Sequence, residues 1–220
     1  MTNTLNGNTT LTRLRLNSRH RAVGEDLADA TRMHRRVMSL MPDSLGEQAR
    51  AHAGVLYRVE KHLTGSSVLL QTGYQPDFTA LPTDYAERST HQLDGMLANI
   101  TTGITVRYRI LANPTRVETT DTKRKTRRWL RGDDALSWWK RRAQQAGLEP
   151  HTALLTNEEL ITATRENNDG AHRISHGTSL FEGTATVTDP DAVRHAVLSG
   201  IGKARAFGCG LLSLAPTNRS

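Results

Sequence analysis

A chain of 220 residues with 36% hydrophobic and 23% charged side chains has room for one large domain or two small ones, each with a core. It contains no run of the roughly 20 apolar residues that a membrane-spanning helix needs. Its 29 Lys and Arg outnumber 22 Asp and Glu, for a net charge of +7, which favours an anionic partner and nucleic acid foremost. One cysteine, Cys209, excludes an internal disulfide and fits a reducing compartment. The first eight residues lack the basic and apolar regions of a secretory leader. The expected location is therefore cytoplasmic.

In chain order, Leu11 to Leu16 alternates loosely as a first strand. From Asp26 to Met41 the residues Leu27, Ala30, Met33, Val37 and Leu40 recur every three or four positions, which predicts one amphipathic helix. Pro42 ends it. Two strands are expected at 53–60 and 67–72, joined through Gly65. A short helical segment is expected at 82–87. In Gly103 to Ala112, Ile104, Val106, Tyr108 and Ile110 alternate with Thr105, Arg107 and Arg109, the pattern of a half-buried strand. The resulting order is β-α-β-β-α-β, the ferredoxin-like unit.

After Asn113-Pro114 the stretch 115–131 carries Arg116, Lys123, Arg124, Lys125, Arg127, Arg128 and Arg131 against Glu118 and Asp121. With so few apolar residues it reads as a basic linker or loop, and as a contact for a polyanion. A second unit follows: a helix over 133–146 stopped by Gly147, strands at 152–155 and 160–165, and an Asp169-Gly170 turn signal for a projecting hairpin. A strand at 179–187, a helix over 190–199 begun by Asp189, and a strand at 211–214 complete it. The predicted class is α+β. Its domains are 1–113, a basic linker over 114–132, and 133–220.

Two stretches carry candidate chemistry. Gly200, Gly202, Gly208 and Gly210 surround Lys203 and Arg205. Such a run either cradles phosphate between backbone N–H groups and cations, or makes a plain surface turn before the last strand. His34 falls at the edge of its helical stripe, since each residue advances about 100°. Imidazole titrates near neutrality and passes protons, and Arg35 and Arg36 follow it. Ordinary packing also places histidines there. His172 and His176 stand four apart in an extended stretch without companion ligands, so metal binding is not expected. No Walker loop, Gly-x-Ser-x-Gly elbow or dinucleotide fingerprint is present.

The run from Gly200 to Pro216 resembles the C-terminal signature of the CasE family, the CRISPR-associated endoribonucleases that process repeat RNA for the type I-E Cascade complex. The stretch Met33 to Asp43, a histidine followed by Leu-hydrophobic-Pro, is similar to the family's other signature. Leu56 to Glu60 and Val106 to Pro114 follow in the expected order.

The resemblance implies two tandem ferredoxin-like, RRM-like domains with a basic cleft between them. It implies metal-independent cleavage at the base of a CRISPR repeat stem-loop, no cofactor, and partners in the repeat RNA, the mature crRNA and the other Cascade subunits, with no membrane. His34 matches the catalytic histidine. Arg35, Arg36, Lys123, Arg124, Arg165, Arg173, Lys203, Arg205 and the four loop glycines are expected to hold RNA, the hairpin entering the deep major groove of A-form RNA. Cys209 then reads as a small packed residue. Where members often carry an assisting tyrosine, this chain has Thr31. A non-catalytic RNA-binding subunit is the alternative.

Overall fold

The computed structural model describes residues 9–45, 53–119, 125–167 and 170–217. The first sheet contains β1 (Thr10–Leu16), β2 (Leu56–His62), β3 (Gly65–Thr72) and β4 (Ala86–Gln92), antiparallel throughout in the order β2-β3-β1-β4. Alternation along β1 turns Leu14 and Leu16 to one face. There they meet Tyr57, Val68 and Leu70 and are covered by Val23, Met33, Val37 and Leu40.

The covering segment is two helices, α1 (Arg21–Ala28) and α2 (Ala30–Met38), where the hydrophobic period predicts one. Asp29 breaks the run with extended backbone, φ −141° and ψ 116°. Its carboxylate accepts from Thr31 N, so the residue that ends α1 caps α2. The break rotates Leu27 out of the stripe, leaving it 38% exposed.

β4 occupies the edge where a short helical segment was expected. Its sequence, AERSTHQ, has no apolar alternation, six of its seven residues are exposed, and its pairing comes from β1, as at Thr12–Thr90 (2.9 Å between hydroxyls). A turn of helix, α3 (Asp94–Ala98), then leads away. The strand expected to close the first unit, now β5 (Thr105–Ala112), instead opens the second sheet. The edge of the first sheet beside β1 is already filled by β4, and β5 turns Val106, Tyr108 and Ile110 toward Trp139 and Phe181 of the other core.

That second sheet runs β11-β5-β10-β8, from β8 (Leu148–Pro150), β10 (Gly170–Val187) and β11 (Leu212–Pro216), with β9 (Leu154–Asn167) paired to β10. Two helices, α4 (Gly132–Gln145) and α5 (Pro190–Ser199), supply Trp138, Trp139, Val193 and Val197 to its core. The Trp139 and Phe181 rings stack at 5.7 Å, and aromatic surface dominates the burial. The strands expected at 152–155, 160–165 and 179–187 belong to one long hairpin, β9–β10. Asp169, half of its turn signal, lies outside the described residues.

The stretch expected to be a linker contains a two-stranded ribbon, β6 (Thr115–Thr119) and β7 (Lys125–Trp129). Trp129 anchors it on Gly177 of β10, where an added Cβ would lie 2.0 Å from the indole. Lys123 and Arg124 lie outside the described residues. Among those residues no helix is long and apolar enough to cross a membrane.

The two sheets meet along a packed seam. Leu56, Leu69 and Leu211 cluster there, and Gln71 Nε2 donates to Val197 O at 2.9 Å. Arg58, only 2% exposed, runs through it. Its guanidinium pairs with Glu60 at 2.7 Å and donates to Arg109 O, Leu211 O and Ser213 Oγ at 3.0–3.2 Å. Burial lowers the Arg58 pKa, an effect that the Glu60 carboxylate opposes.

Candidate active site

His34 sits mid-way along α2, half-buried, between core Met33 and exposed Arg35. The helical period places it at the edge of the covered face, as expected. Arg36 does not face solvent beside it. Its Nε donates to Asp26 Oδ2 at 2.8 Å, and Tyr85 donates its hydroxyl to the same oxygen at 2.9 Å. The guanidinium lies 5.2 Å from the Tyr85 ring centre. Arg36 therefore braces the helix: its charge is taken by the buried Asp26 carboxylate.

Thr31 is likewise engaged. Its hydroxyl donates to Thr164 O of β9 at 2.8 Å, so its proton points at a carbonyl of this chain. Asp29, beside it, accepts from Thr31 N at 2.7 Å and from Thr164 N at 3.2 Å through one oxygen, and from the Thr164 hydroxyl through the other. Partial burial pushes the Asp29 pKa up, but the donors from Thr164 and Thr31 outweigh it and hold the carboxyl below its usual range.

The glycine run folds back onto this helix. Gly200 ends α5 at φ 75°, and the segment Arg205–Phe207 forms one 3-10 turn that packs against α2. The hydroxyl of Tyr57, its pKa raised by burial, donates to Ala206 O at 2.8 Å and ties the turn to β2. The backbone N–H groups of Gly200, Gly208 and Gly210 donate to Ala196 O, Arg205 O and Leu111 O. They are not available to a phosphate, which corrects the expectation of a cradle built from all four glycines. These three positions serve the turn itself: a Cβ on Gly200 would lie 2.7 Å from Leu56, and Gly208 and Gly210 have φ of 83° and 94°. Only the apex keeps the cradle's character, with exposed Lys203 after Gly202. Arg205 turns its Nε back to Gly202 O at 3.2 Å.

On the hairpin, Arg165 and Arg173 are both exposed. Arg165 lies across from His172 and Arg173 across from Thr164, so the two arginines project from opposite faces of the ribbon. His172 and His176 stand four residues apart on one strand, about 13 Å at 3.3 Å per residue, too far to share a metal ion. His176 instead stacks on Phe207 of the glycine run, ring centres 4.6 Å apart, and burial lowers its pKa. Cys209 is fully buried, its thiol pushed up to about 12 by desolvation. A groove of about 300 Å³ between α2, β2 and β9 is lined by Ala30, Met33, Tyr57, Leu160, Ile161 and Phe207.

Sequence reasoning missed Asp29 and Thr164, met Tyr57 and Arg58 only as part of the stretch Leu56 to Glu60, and weighed His176 only as a metal ligand. Only Asp29 carried a local signal, as an N-cap residue two positions before Thr31. The contacts of Thr164, Tyr57 and Arg58 span more than 50 positions, except the Arg58–Glu60 pair, and His176 meets Phe207 across 31.

Two packed antiparallel sheets, with a histidine-bearing helix held between a basic hairpin and a glycine-rich loop, define a mixed α/β protein. The chain belongs to the CRISPR-associated protein family, whose model matches residues 10–216. It is 29% identical over 220 residues to the CRISPR-associated endoribonuclease Cse3 of Thermus thermophilus, covering 94% of this chain and 99% of that one. It is 28% identical over 200 residues to the CRISPR system Cascade subunit CasE of Escherichia coli, covering 86% and 92%. The structure of Thermus thermophilus Cse3 bound to an RNA representing a pre-cleavage complex superposes with a TM-score of 0.79 at 26% identity, over 95% of this chain and 100% of that one.

Proposed function

We propose that this chain is an endoribonuclease that binds the CRISPR repeat stem-loop, cuts precursor CRISPR RNA at the base of the stem, and stays as a Cascade subunit. The observation that carries the reading is the placement of His34: half-buried, on a helix that touches both the basic hairpin and the Lys203–Arg205 loop. The names of the relatives, an endoribonuclease and a Cascade subunit, support it. The protein acts in the cytoplasm.

In the proposed reaction the 2′-oxygen attacks the adjacent phosphorus and the bond from phosphorus to the 5′-oxygen breaks. The products are a 2′,3′-cyclic phosphate and a 5′-hydroxyl. One proton leaves the 2′-hydroxyl and one reaches the 5′-oxygen, and His34 transfers one of them as base or acid. Arg35, Lys203 and Arg205 offset the charge that builds on the phosphoryl oxygens. Arg165 and Arg173, on opposite faces of the hairpin, fit a ribbon inserted between two phosphate backbones in an A-form major groove. The reaction is proposed to need no metal.

Each sheet has its first strand at the centre, β1 beside β3 and β4 and, with β9 set aside, β5 beside β10 and β11, which are then the third and fourth strands of each path, with helices on one face. We read these as two tandem ferredoxin-like units. Their division falls between β4 and β5, ahead of the boundary expected at 113, and the β6–β7 ribbon is an insertion in the second.

His34→Ala should abolish cleavage of the repeat RNA in excess chelator while stem-loop affinity stays within about twofold. Product ends carrying a cyclic phosphate are expected from the parent. Cleavage by His34→Ala at the parent rate would remove His34 from the reaction, and a parent protein that does not cleave would leave the non-catalytic RNA-binding subunit as the reading.

A further inference from the structure

β9 is an edge strand: among the described residues it pairs with β10 alone. The outward N–H and C=O of an edge strand are unpaired unless something covers them. At Thr164 both are covered, and by the first turn of the helix that carries His34. The amide donates to Asp29 Oδ1 at 3.2 Å, and the carbonyl accepts from Thr31 Oγ1 at 2.8 Å. The Thr164 hydroxyl donates to the other Asp29 oxygen, and Asp29 also caps the helix through Thr31 N. Four hydrogen bonds thus join residues 29 and 31 to each other and to residue 164, closing a contact more than 130 positions long.

The location gives this cluster its meaning. Thr31 stands three residues before His34, about 4.5 Å along the axis at 1.5 Å per residue. Thr164 stands next to Arg165 and across from Arg173, the hairpin cations. These bonds join the hairpin to the first turn of the helix that carries the imidazole. We infer that Asp29 and Thr164 form a positioning clasp through which the RNA-holding hairpin sets the place of His34 for cleavage. The inference rests on the proposed role of His34. Neither clasp residue touches the reacting atoms; both act through the helix. A displacement of about 1 Å in a reacting group can cost roughly a hundredfold in rate, so the clasp is expected to appear in the chemical step and not in affinity.

The test uses the full chain and a repeat-derived stem-loop RNA, with enzyme in excess for single turnover. Affinity is measured in parallel on the same RNA carrying a 2′-deoxy nucleotide at the cleavage position. Thr164→Val keeps the shape and the strand preference but removes the hydroxyl donor, and should slow cleavage about tenfold or more with affinity within about twofold. Asp29→Ala should do the same. Asp29→Asn, which still caps the helix and still bonds to the Thr164 hydroxyl, should recover most of the rate lost in Asp29→Ala. Thr164→Val cleaving at the parent rate, a loss confined to affinity, or Asp29→Asn as slow as Asp29→Ala would each overturn the clasp. Inactive His34→Ala beside a parent-like Thr164→Val removes the clasp alone. Parent-rate cleavage by His34→Ala removes the clasp together with the reading on which it rests.

Discussion

Arg58 is the residue whose loss should most directly separate the two halves of the molecule. Arg58→Ala removes a 2%-exposed guanidinium together with its ion pair to Glu60 and its bonds to Arg109 O, Leu211 O and Ser213 Oγ. Breaking a buried pair from one side typically costs about 3–5 kcal/mol, because the remaining charge is left without its partner. Glu60 here is not fully abandoned, since Arg109 Nε stays within 3.4 Å, so the lower end, about 3 kcal/mol, applies. For a chain of this size that corresponds to a fall of about 6–12 °C in Tm. Urea and thermal unfolding of the parent, Arg58→Ala, and a double variant with Arg58→Met and Glu60→Met measure it. The double variant leaves no charge stranded and should recover part of the loss. An Arg58→Ala protein within about 1 kcal/mol of the parent would refute the seam as an energetic link. The consequence reaches the site, because the seam holds the loop after α5 against α2.

His176 and Cys209 give two further expectations. As pH falls below the ordinary histidine value near 6.5, His176 in the unfolded chain takes its proton before the buried native imidazole does. The unfolded state then binds more protons, so stability is present above that value and drains as pH falls toward the lower native pKa. His176→Phe, which keeps a ring on Phe207, should lose less stability between pH 8 and pH 5 than the parent; equal acid slopes in urea midpoints would contradict this. Cys209, buried with its pKa near 12, should resist a disulfide-exchange reagent at pH 8 in the native protein and react at once in denaturant. Prompt native labelling would show that the thiol is accessible.

The α+β class, most of the strongly patterned elements, the basic character, and the two stretches around His34 and Gly200 are legible in the amino-acid order alone. Apolar period and glycine content are local properties, legible wherever an element buries one face. What lacks a local signature was decided by tertiary structure. β4 is polar and exposed, and only its pairing with β1 makes it a strand. Because β4 has no apolar pattern, the plain alternation of β5 does not by itself tell which sheet the strand joins. The single helix expected over 26–41 divides at Asp29, where capping and the contact with Thr164 outweigh a continuous hydrophobic stripe. The glycine run changed most: three of its glycines shape a turn with internally satisfied amides, leaving Lys203 exposed at its apex. The contacts that place His34 join residues more than 130 positions apart, and such contacts leave no period in the chain to be read.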